Sequence, residues 1–235
     1  MQIINQLGGK DNLVLSKAIL LYEGANISYA SVHEVKRLES KAVIGAGQPL
    51  GLTELENTLS SLGKSFKEGF VSESLIYSSA GMKLWWRKPG KAPIFIKEKD
   101  KEEQSLIAEH PGLVFGLRGR TLYVFAVKGS ERPNKDTELY FSPYFNVNEF
   151  GSVCTGNTKM PDAEDSSMFT EWEDSFFGSY FTHHSRNKII KSKLGFTEFW
   201  KKHAESGKPF PDKALFPMED VTLEDVVTGW QGNNQ

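Results

Sequence analysis

The sequence predicts an α+β fold, in which strands and helices occupy separate parts of the chain instead of alternating. Segments rich in β-branched and aromatic residues, separated by turn residues, dominate the chain from residue 13 to residue 147. Apart from residues 52–62, apolar residues at helical spacing are concentrated after residue 165. Of the 235 residues, 39% are hydrophobic and 25% are charged, a globular composition that excludes a disordered or coiled-coil chain.

The first fifty residues are predicted to form a β-rich extension built on a hairpin. Residues 13–22 and 27–35 have the composition of strands, and residues 24–26 between them are turn residues. Residues 45–51 are rich in Gly and Pro, so we expect them to be a connector that ends the extension at residue 50.

A helix is predicted to open the core of the protein. Thr53 and Glu56 have the spacing of a capping box, in which each side chain satisfies a free backbone N–H of the first turn. One apolar face follows from leucines at intervals of three and four, namely Leu52, Leu55, Leu59 and Leu62.

Five strands are predicted in the middle of the chain, at residues 74–77, 82–87, 94–96, 113–117 and 122–128. Only four residues separate the last two strands, so we expect an antiparallel hairpin there and an antiparallel β-meander overall. Residues 97–103 alternate in charge sign and are predicted to be a solvated loop.

Two neighbouring tryptophans lie in the second of these strands. Successive side chains of a strand point to opposite faces, so Trp85 and Trp86 are predicted to face opposite ways. One of them is predicted to lie in the core. For the other, core packing and an exposed surface for a partner both remain open.

Helices are predicted near the carboxyl end. Large apolar residues recur at intervals of four and predict an aromatic core helix that carries Met168, Trp172, Phe176 and Tyr180. A second helix is predicted at residues 197–205. The core is therefore expected to span residues 51–206, and the acidic, Pro-punctuated residues 207–235 are expected to form a tail.

Charge and cysteine content exclude several classes of protein. With 28 basic and 30 acidic residues the formal net charge is −2, so neither a nucleic-acid partner nor a polybasic membrane anchor is predicted. No apolar run approaches membrane-spanning length, and the first residues lack the layout of a signal peptide, so we expect a cytoplasmic protein. The single cysteine excludes an intrachain disulfide and a Cys-rich zinc site, and no metal or cofactor is predicted.

Cys154 lies in a loop-like segment between two glycines. Gly151 and Gly156 allow the backbone to turn tightly and allow another chain to approach the sulfur. Asn146 precedes the cysteine by eight residues, and an amide near a reactive thiol is able to stabilise an oxyanion. From the residues alone, Cys154 is either a nucleophile or an inert small apolar residue, and Asn146 is either a site residue or a turn residue.

The pattern aromatic-Asn, short spacer, Gly-x-Val-Cys-x-Gly resembles the active-site segment of ubiquitin-conjugating (UBC) enzymes, in which a His-Pro-Asn motif precedes the catalytic cysteine. More closely, the chain resembles the PRTRC system protein B family, a prokaryotic branch of that superfamily. The similarity extends over residues 84–86, 113–115, 132–140, 143–147, 153–157 and 172–183.

The resemblance implies a UBC-like fold and an acyl-carrier function. Cys154 would accept a ubiquitin-like protein as a thioester from a ThiF-type activating enzyme, and Asn146 would orient the loop or stabilise the oxyanion. Supporting roles in the loop would fall to Tyr144, Gly151, Gly156 and Asn157. Tyr144 and Phe145 stand where that family has His-Pro, and no acidic residue matches the one that assists the incoming lysine. A JAB-type metalloprotease encoded nearby is a further implied partner.

Other functions remain open. His183 follows the aromatic helix and is a candidate catalytic base near Cys154, which would either give a thiol hydrolase or assist the attack of an amine on the thioester. A capping or surface role for this histidine also remains open. A non-catalytic binding module that keeps the fold without the chemistry is another alternative. Residues 183–203 carry six Lys and Arg, and this basic segment is predicted either to be a solvated face or to bind an acidic partner or a phosphate backbone.

Overall fold

The computed structural model describes residues 16–23, 28–38, 41–51, 53, 72–79, 81–161 and 169–232. The chain divides into two compact units, unit 1 from Met1 to Gly69 and unit 2 from Phe70 to Gln235. The boundaries predicted from the sequence, at residues 50 and 206, remain predictions.

Unit 1 contains an antiparallel sheet of three strands, β1 (Lys17–Glu23), β2 (Ser28–Leu38) and β3 (Lys41–Pro49), in the order β1-β2-β3. The pairing of β1 with β2 confirms the predicted hairpin, whose turn lies outside the described residues. The predicted helix after residue 51 also lies outside them, except for Thr53.

The predicted connector at residues 45–51 is wrong, because most of it belongs to β3. The glycines there serve close packing: a Cβ atom on Gly47 would lie 2.4 Å from the ring of His33. That ring is buried and bonds to Ser31 and to the carbonyl of Gly45. A glycine inside a strand therefore marks the place where another side chain crosses it.

Unit 2 contains strands β4 (Leu75–Ser79), β5 (Met82–Arg87), β6 (Gly90–Ile96), β7 (Gln104–His110), β8 (Gly112–Arg118), β9 (Thr121–Val127), β10 (Glu138–Phe141), β11 (Tyr180–Phe181) and β12 (Pro217–Thr222). Its helices are α1 (Phe169–Phe177), α2 (Phe196–Ser206) and α3 (Leu223–Gly232). This arrangement confirms the α+β class, and all five predicted strands are present. Within the described ranges, every helix is too short or too polar to span a membrane.

Six strands of unit 2 form one antiparallel sheet in the order β12-β10-β9-β8-β5-β4. The predicted hairpin of β8 and β9 is confirmed. The predicted meander is interrupted, because β6 and β7 leave this sheet and form a second one with β11, in the order β11-β6-β7. Residues after 207 add β12 to the edge of the large sheet.

The large sheet is apolar on both faces. On one face, alternate residues of β8 and β9, such as Phe115 and Val124, pack with α1, α2 and the small sheet. On the other face, residues such as Val114 and Phe125 pack with α3. This is why the strands read as nearly continuous apolar runs.

Trp85 and Trp86 lie on opposite faces of β5, as predicted, and each belongs to a different core cluster. Trp85 is fully buried and Trp86 is 6% exposed. An exposed partner surface at Trp86 is therefore excluded, because both faces of the sheet are covered.

Tyr180 does not lie in the aromatic helix that the sequence predicts. Helix α1 ends at Phe177, where the N–H of Gly178 still bonds to the carbonyl of Asp174 and the Ser179 hydroxyl donates to the Phe176 carbonyl. The chain then becomes extended, and Tyr180 pairs with Phe95 in β11. Its side chain is 45% exposed, so it is not a core residue.

Candidate functional site

The cysteine loop, residues 146–157, is attached to the edge of β9 beyond the end of β10. Ser152 forms a β-bridge with Tyr123, and the N–H of Val153 donates to the carbonyl of Leu122 at 2.9 Å. A second bridge joins Val153 to Val147, so the loop is folded back on itself as a tight hairpin. The backbone just before Cys154 is therefore held by β9 on one side and by Val147 on the other, whereas the side chain of Cys154 is exposed.

The turn of this hairpin depends on Asn148 and Gly151. The Asn148 Oδ1 accepts the N–H groups of Phe150 and Ser152 at 3.0 and 2.9 Å. Gly151 has φ +81°, and a Cβ atom there would lie 2.4 Å from the ring of Phe125. Gly151 is therefore required both by its backbone conformation and by the close approach of an aromatic ring.

Asn146 links the cysteine loop to the segment that follows α1. It is 7% exposed, and its Oδ1 accepts the N–H and hydroxyl of Thr182, both at 3.1 Å, and the N–H of His183 at 3.2 Å. Its Nδ2 donates to the carbonyl of Tyr180 at 2.7 Å. With the amide oxygen and Nδ2 engaged in this way, the side chain is suited to orienting the loop.

The main chain of Asn146 brings the three predicted catalytic residues together. The N–H of Cys154 donates to the Asn146 carbonyl at 2.7 Å, and the N–H of Asn146 donates to the His183 carbonyl at 3.1 Å. The φ of Asn146 is +59°, a left-handed conformation that Asn tolerates better than most residues. Cys154 and His183 thus flank one strained residue on its two sides.

The imidazole of His183 is exposed, and its Nδ1 lies 3.0 Å from the hydroxyl of Thr182. The ring of the neighbouring His184 packs against Phe145 in a tilted arrangement, with ring centroids 4.3 Å apart. An exposed histidine therefore lies beside the cysteine loop. Within the described part of the chain, its ring forms no hydrogen bond with the sulfur of Cys154.

Tyr144 anchors the loop in the core. It is fully buried, and its hydroxyl donates to Nδ1 of His110 at 2.7 Å, while Nε2 of that histidine donates to the Ala92 carbonyl at 3.1 Å. Burial lowers the pKa of His110 to about 3, so the ring is neutral and Nδ1 is free to accept. Burial also raises the pKa of Tyr144. The tyrosine ring stacks between Phe181 and Trp200.

The far side of the loop, at Gly156 and Asn157, turns away from the hairpin. Gly156 has φ +51°, and in the described part of the chain no atom beyond its two chain neighbours lies within 4 Å of the place a Cβ would occupy. Asn157 is exposed. The N–H of Thr158 donates to the carbonyl of Thr155, which makes this a turn. Positive φ at Gly156 agrees with the turn that the sequence predicts there.

Arg186 does not belong to the basic face predicted at residues 183–203, because its side chain is buried, with 9% exposure. Its guanidinium points to the carbonyl groups beside Asn146. Two lysines of the same segment do lie on the surface and pair with acidic residues, Lys188 with Glu219 and Lys202 with Glu198.

Sequence reasoning missed Arg186 and His110 as residues of this region. Nothing in the sequence distinguishes Arg186 from the lysines around it. Within the ranges that the structure describes, no group of three or more His, Cys, Asp and Glu side chains is arranged to hold a metal ion.

Comparison with known protein families gives a match over most of the chain. The model of prokaryotic E2 family D matches residues 51–218, which include the cysteine loop, His183 and Arg186. No curated protein and no solved structure matches the chain.

Proposed function

Because the chain belongs to prokaryotic E2 family D, we propose that it is an E2-like transferase that carries a ubiquitin-like protein as a thioester on Cys154. The observation that carries the proposal is the exposed thiol at the end of a hairpin fixed by backbone hydrogen bonds to Leu122, Val124 and Asn146. A reactive cysteine must be reachable and held in place, and this one is both.

The proposed reaction exchanges one thioester for another. The thiolate of Cys154 attacks the C-terminal carbonyl carbon of the modifier on a ThiF-type activating enzyme, and a C–S bond to Cys154 forms as the donor's C–S bond breaks. The donor sulfur leaves as a thiolate. An amine then attacks the new thioester, an amide bond forms, Cys154 leaves as a thiolate, and the proton of the amine passes to solvent.

Apart from His183, each predicted site residue has a place in this proposal. Asn146 orients the loop through its side-chain bonds, and Gly151 gives the hairpin its turn. Tyr144, which stands where the UBC family has the histidine of its His-Pro motif, supports the loop from the core through its hydrogen bond to His110. Gly156 and Asn157 leave the approach to the sulfur open. We also propose a UBC-like fold and a place in the PRTRC system protein B branch, with a JAB-type metalloprotease that removes the modifier.

Two alternatives make different predictions. A thiol hydrolase is favoured by the exposed imidazole of His183 beside the loop, and it would turn over an ester or peptide without an activating enzyme. A binding module with an inert cysteine would not react with acyl donors at all, although its exposed thiol would still be alkylated.

Formation of the thioester tests the proposal. The purified chain is incubated with ATP, a ThiF-type activating enzyme and a ubiquitin-like protein from the same genome, and adducts are separated without reducing agent. We expect an adduct that dithiothreitol removes and that is absent in Cys154→Ala. In Cys154→Ser, an ester resistant to dithiothreitol should form. An adduct that survives in Cys154→Ala, or none at all with a charged activating enzyme, would contradict the proposal.

A further inference from the structure

The side chain of Arg186 donates hydrogen bonds to main-chain carbonyl groups from three segments of the chain. Its Nη1 donates to the carbonyls of Val147 and Asn148, the second at 3.3 Å, and its Nη2 donates to that of Ser142. Its Nε donates to the carbonyl of Lys188 at 3.0 Å. The guanidinium also lies over a ring of β10, 5.3 Å from the centroid of Phe141.

This is a buried cation whose hydrogen-bond acceptors, in the part of the chain that the structure describes, are all carbonyl groups. Burial lowers the pKa of Arg186 to about 10, and the charge of Glu149 acts in the opposite direction. The group is still charged at neutral pH. Burying a charge without a paired carboxylate is unfavourable, so its presence here calls for a role that an apolar residue would not fill.

The carbonyls that Arg186 binds define the position of the cysteine loop. Ser142 and Val147 stand at the two ends of the turn that carries Asn146. Val147 is bridged to Val153, the residue before Cys154. One planar guanidinium thus fixes both ends of this turn and the first strand of the hairpin, which the single ammonium of a lysine is not able to do.

We propose that Arg186 is a positioning residue for acyl transfer, which holds the backbone of the cysteine loop so that the sulfur of Cys154 meets the incoming carbonyl in a reactive geometry. This inference rests on the proposed function. In this role Arg186 contacts neither the sulfur nor the acyl group, and it is not needed to keep the thiol exposed.

The test compares Arg186→Lys with Arg87→Lys as a matched control. Arg87 is also an arginine with a largely buried side chain, but it bonds to Glu173 and to the carbonyl of Lys91. Both variants are expected to lose stability. Only Arg186→Lys should slow transfer from the charged activating enzyme to Cys154, by at least ~10-fold, since small displacements of reacting groups have large effects on rate. Alkylation by iodoacetamide needs only an exposed thiol and should stay within ~3-fold of wild type in both.

Hydrogen exchange supplies a second readout that does not depend on acyl transfer. The amide of Cys154, which bonds to the Asn146 carbonyl, should exchange at least ~10-fold faster in Arg186→Lys than in Arg87→Lys, because the loop opens locally. Transfer and exchange are measured well below the melting temperature of the less stable variant. Should Arg186→Lys prove too unstable, Arg186→Gln replaces it.

Each outcome has a distinct meaning. Equal transfer and equal exchange in the two variants would overturn the role of Arg186. A parallel loss of alkylation and transfer in Arg186→Lys would also overturn it, because the arginine would then only keep the thiol exposed. If the wild-type chain accepts no acyl group, the proposed function and the part of Arg186 in transfer both fail, while the exchange measurement still decides whether Arg186 holds the loop.

Discussion

Gly151 is the residue of the cysteine loop at which a single methyl group has the most direct structural consequence. Gly151→Ala would place a Cβ 2.4 Å from the ring of Phe125 and keep a φ of +81°. The strain and the displaced ring together should lower the free energy of unfolding by about 3 kcal/mol. The measurement is urea denaturation.

Gly156→Ala is the matched control for this substitution. Its φ is also positive, at +51°, but among the residues with described positions none except its chain neighbours has an atom within 4 Å of the added Cβ. The expected loss is therefore that of backbone strain alone, ~1 kcal/mol. Equal losses in the two variants would show that the contact with Phe125 does not constrain the loop.

Substitutions of Asn146 separate its two candidate roles, loop orientation and oxyanion stabilisation. Asn146→Asp keeps an oxygen that accepts from Thr182 and His183 but loses the Nδ2 donor, whereas Asn146→Ala loses both. If orientation is the role, Asn146→Asp should retain more transfer activity than Asn146→Ala. It should also lose less than the ~100-fold that removal of an oxyanion donor causes. An equal loss in the two variants, measured as the rate of thioester formation, would favour the oxyanion role.

The local part of the site was predictable from the sequence, whereas its long-range part was not. Glycines on both sides of Cys154 predict a turn with an accessible sulfur, and the structure has positive φ at Gly151 and Gly156 and an exposed thiol. The contacts by which Arg186 and His110 reach the segment before Cys154 join residues 34 to 44 positions apart in the chain. Contacts of this kind depend on the tertiary fold, and spacing along one segment carries no information about them.

At the scale of elements, alternation and turn chemistry predicted β4, β5, β8 and β9 of the large sheet and β6 of the small one, but not β12 of the large sheet or β7 and β11 of the small one. Strand β7 begins directly after the charged residues 97–103 and exposes Ile107, so its sequence does not stand out as a strand. The end of α1 was also missed, because aromatic residues continue at helical spacing to Tyr180. Gly178 and Ser179 interrupt that pattern, and the chain pairs with β6 instead.

The attachment of α1 to β5 depends on Glu173. Its carboxylate accepts the indole N–H of Trp85 at 2.9 Å and pairs with Arg87 at 3.1 Å. Glu173→Ala leaves both donors without this partner in a mostly buried place and should lower the free energy of unfolding by about 2–4 kcal/mol. Glu171→Ala, at an exposed position of the same helix, is the control and should change it by less than ~0.5 kcal/mol. Chemical denaturation of both variants checks this, and similar losses would show that Glu173 does not anchor the helix.

At the scale of the whole molecule, the buried pair of His110 and Tyr144 supports both the core and the candidate site. His110 belongs to β7 of the small sheet, and Tyr144 belongs to the segment between β10 and the cysteine loop. Their hydrogen bond joins these two parts inside a cluster of rings from α1, β11 and α2, namely Phe177, Phe181 and Trp200. The stability of the fold and the position of the loop are therefore expected to change together when this pair is disturbed.

Acid is the simplest disturbance of this pair. Burial lowers the pKa of His110 from 6.5 to about 3. Above pH 6.5 the ring is neutral in both the folded and the unfolded chain, so its contribution to stability is fully present there. As the pH falls below 6.5 the unfolded chain takes up a proton that the folded chain does not, and stability is lost at about 1.4 kcal/mol per pH unit until about pH 3.

The difference between wild type and His110→Gln isolates this histidine from the carboxylates that also titrate in acid. Glutamine is neutral throughout, so the wild-type chain should lose about 2.5 kcal/mol more than the variant between pH 6.5 and pH 4.5. Urea unfolding at each pH gives both curves, and His184→Gln, which removes an exposed imidazole, is expected to follow wild type. Parallel curves for wild type and His110→Gln would mean that the core does not hold His110 neutral. Nδ1 of His110 would then not be the acceptor for the Tyr144 hydroxyl that the proposed support of the loop requires.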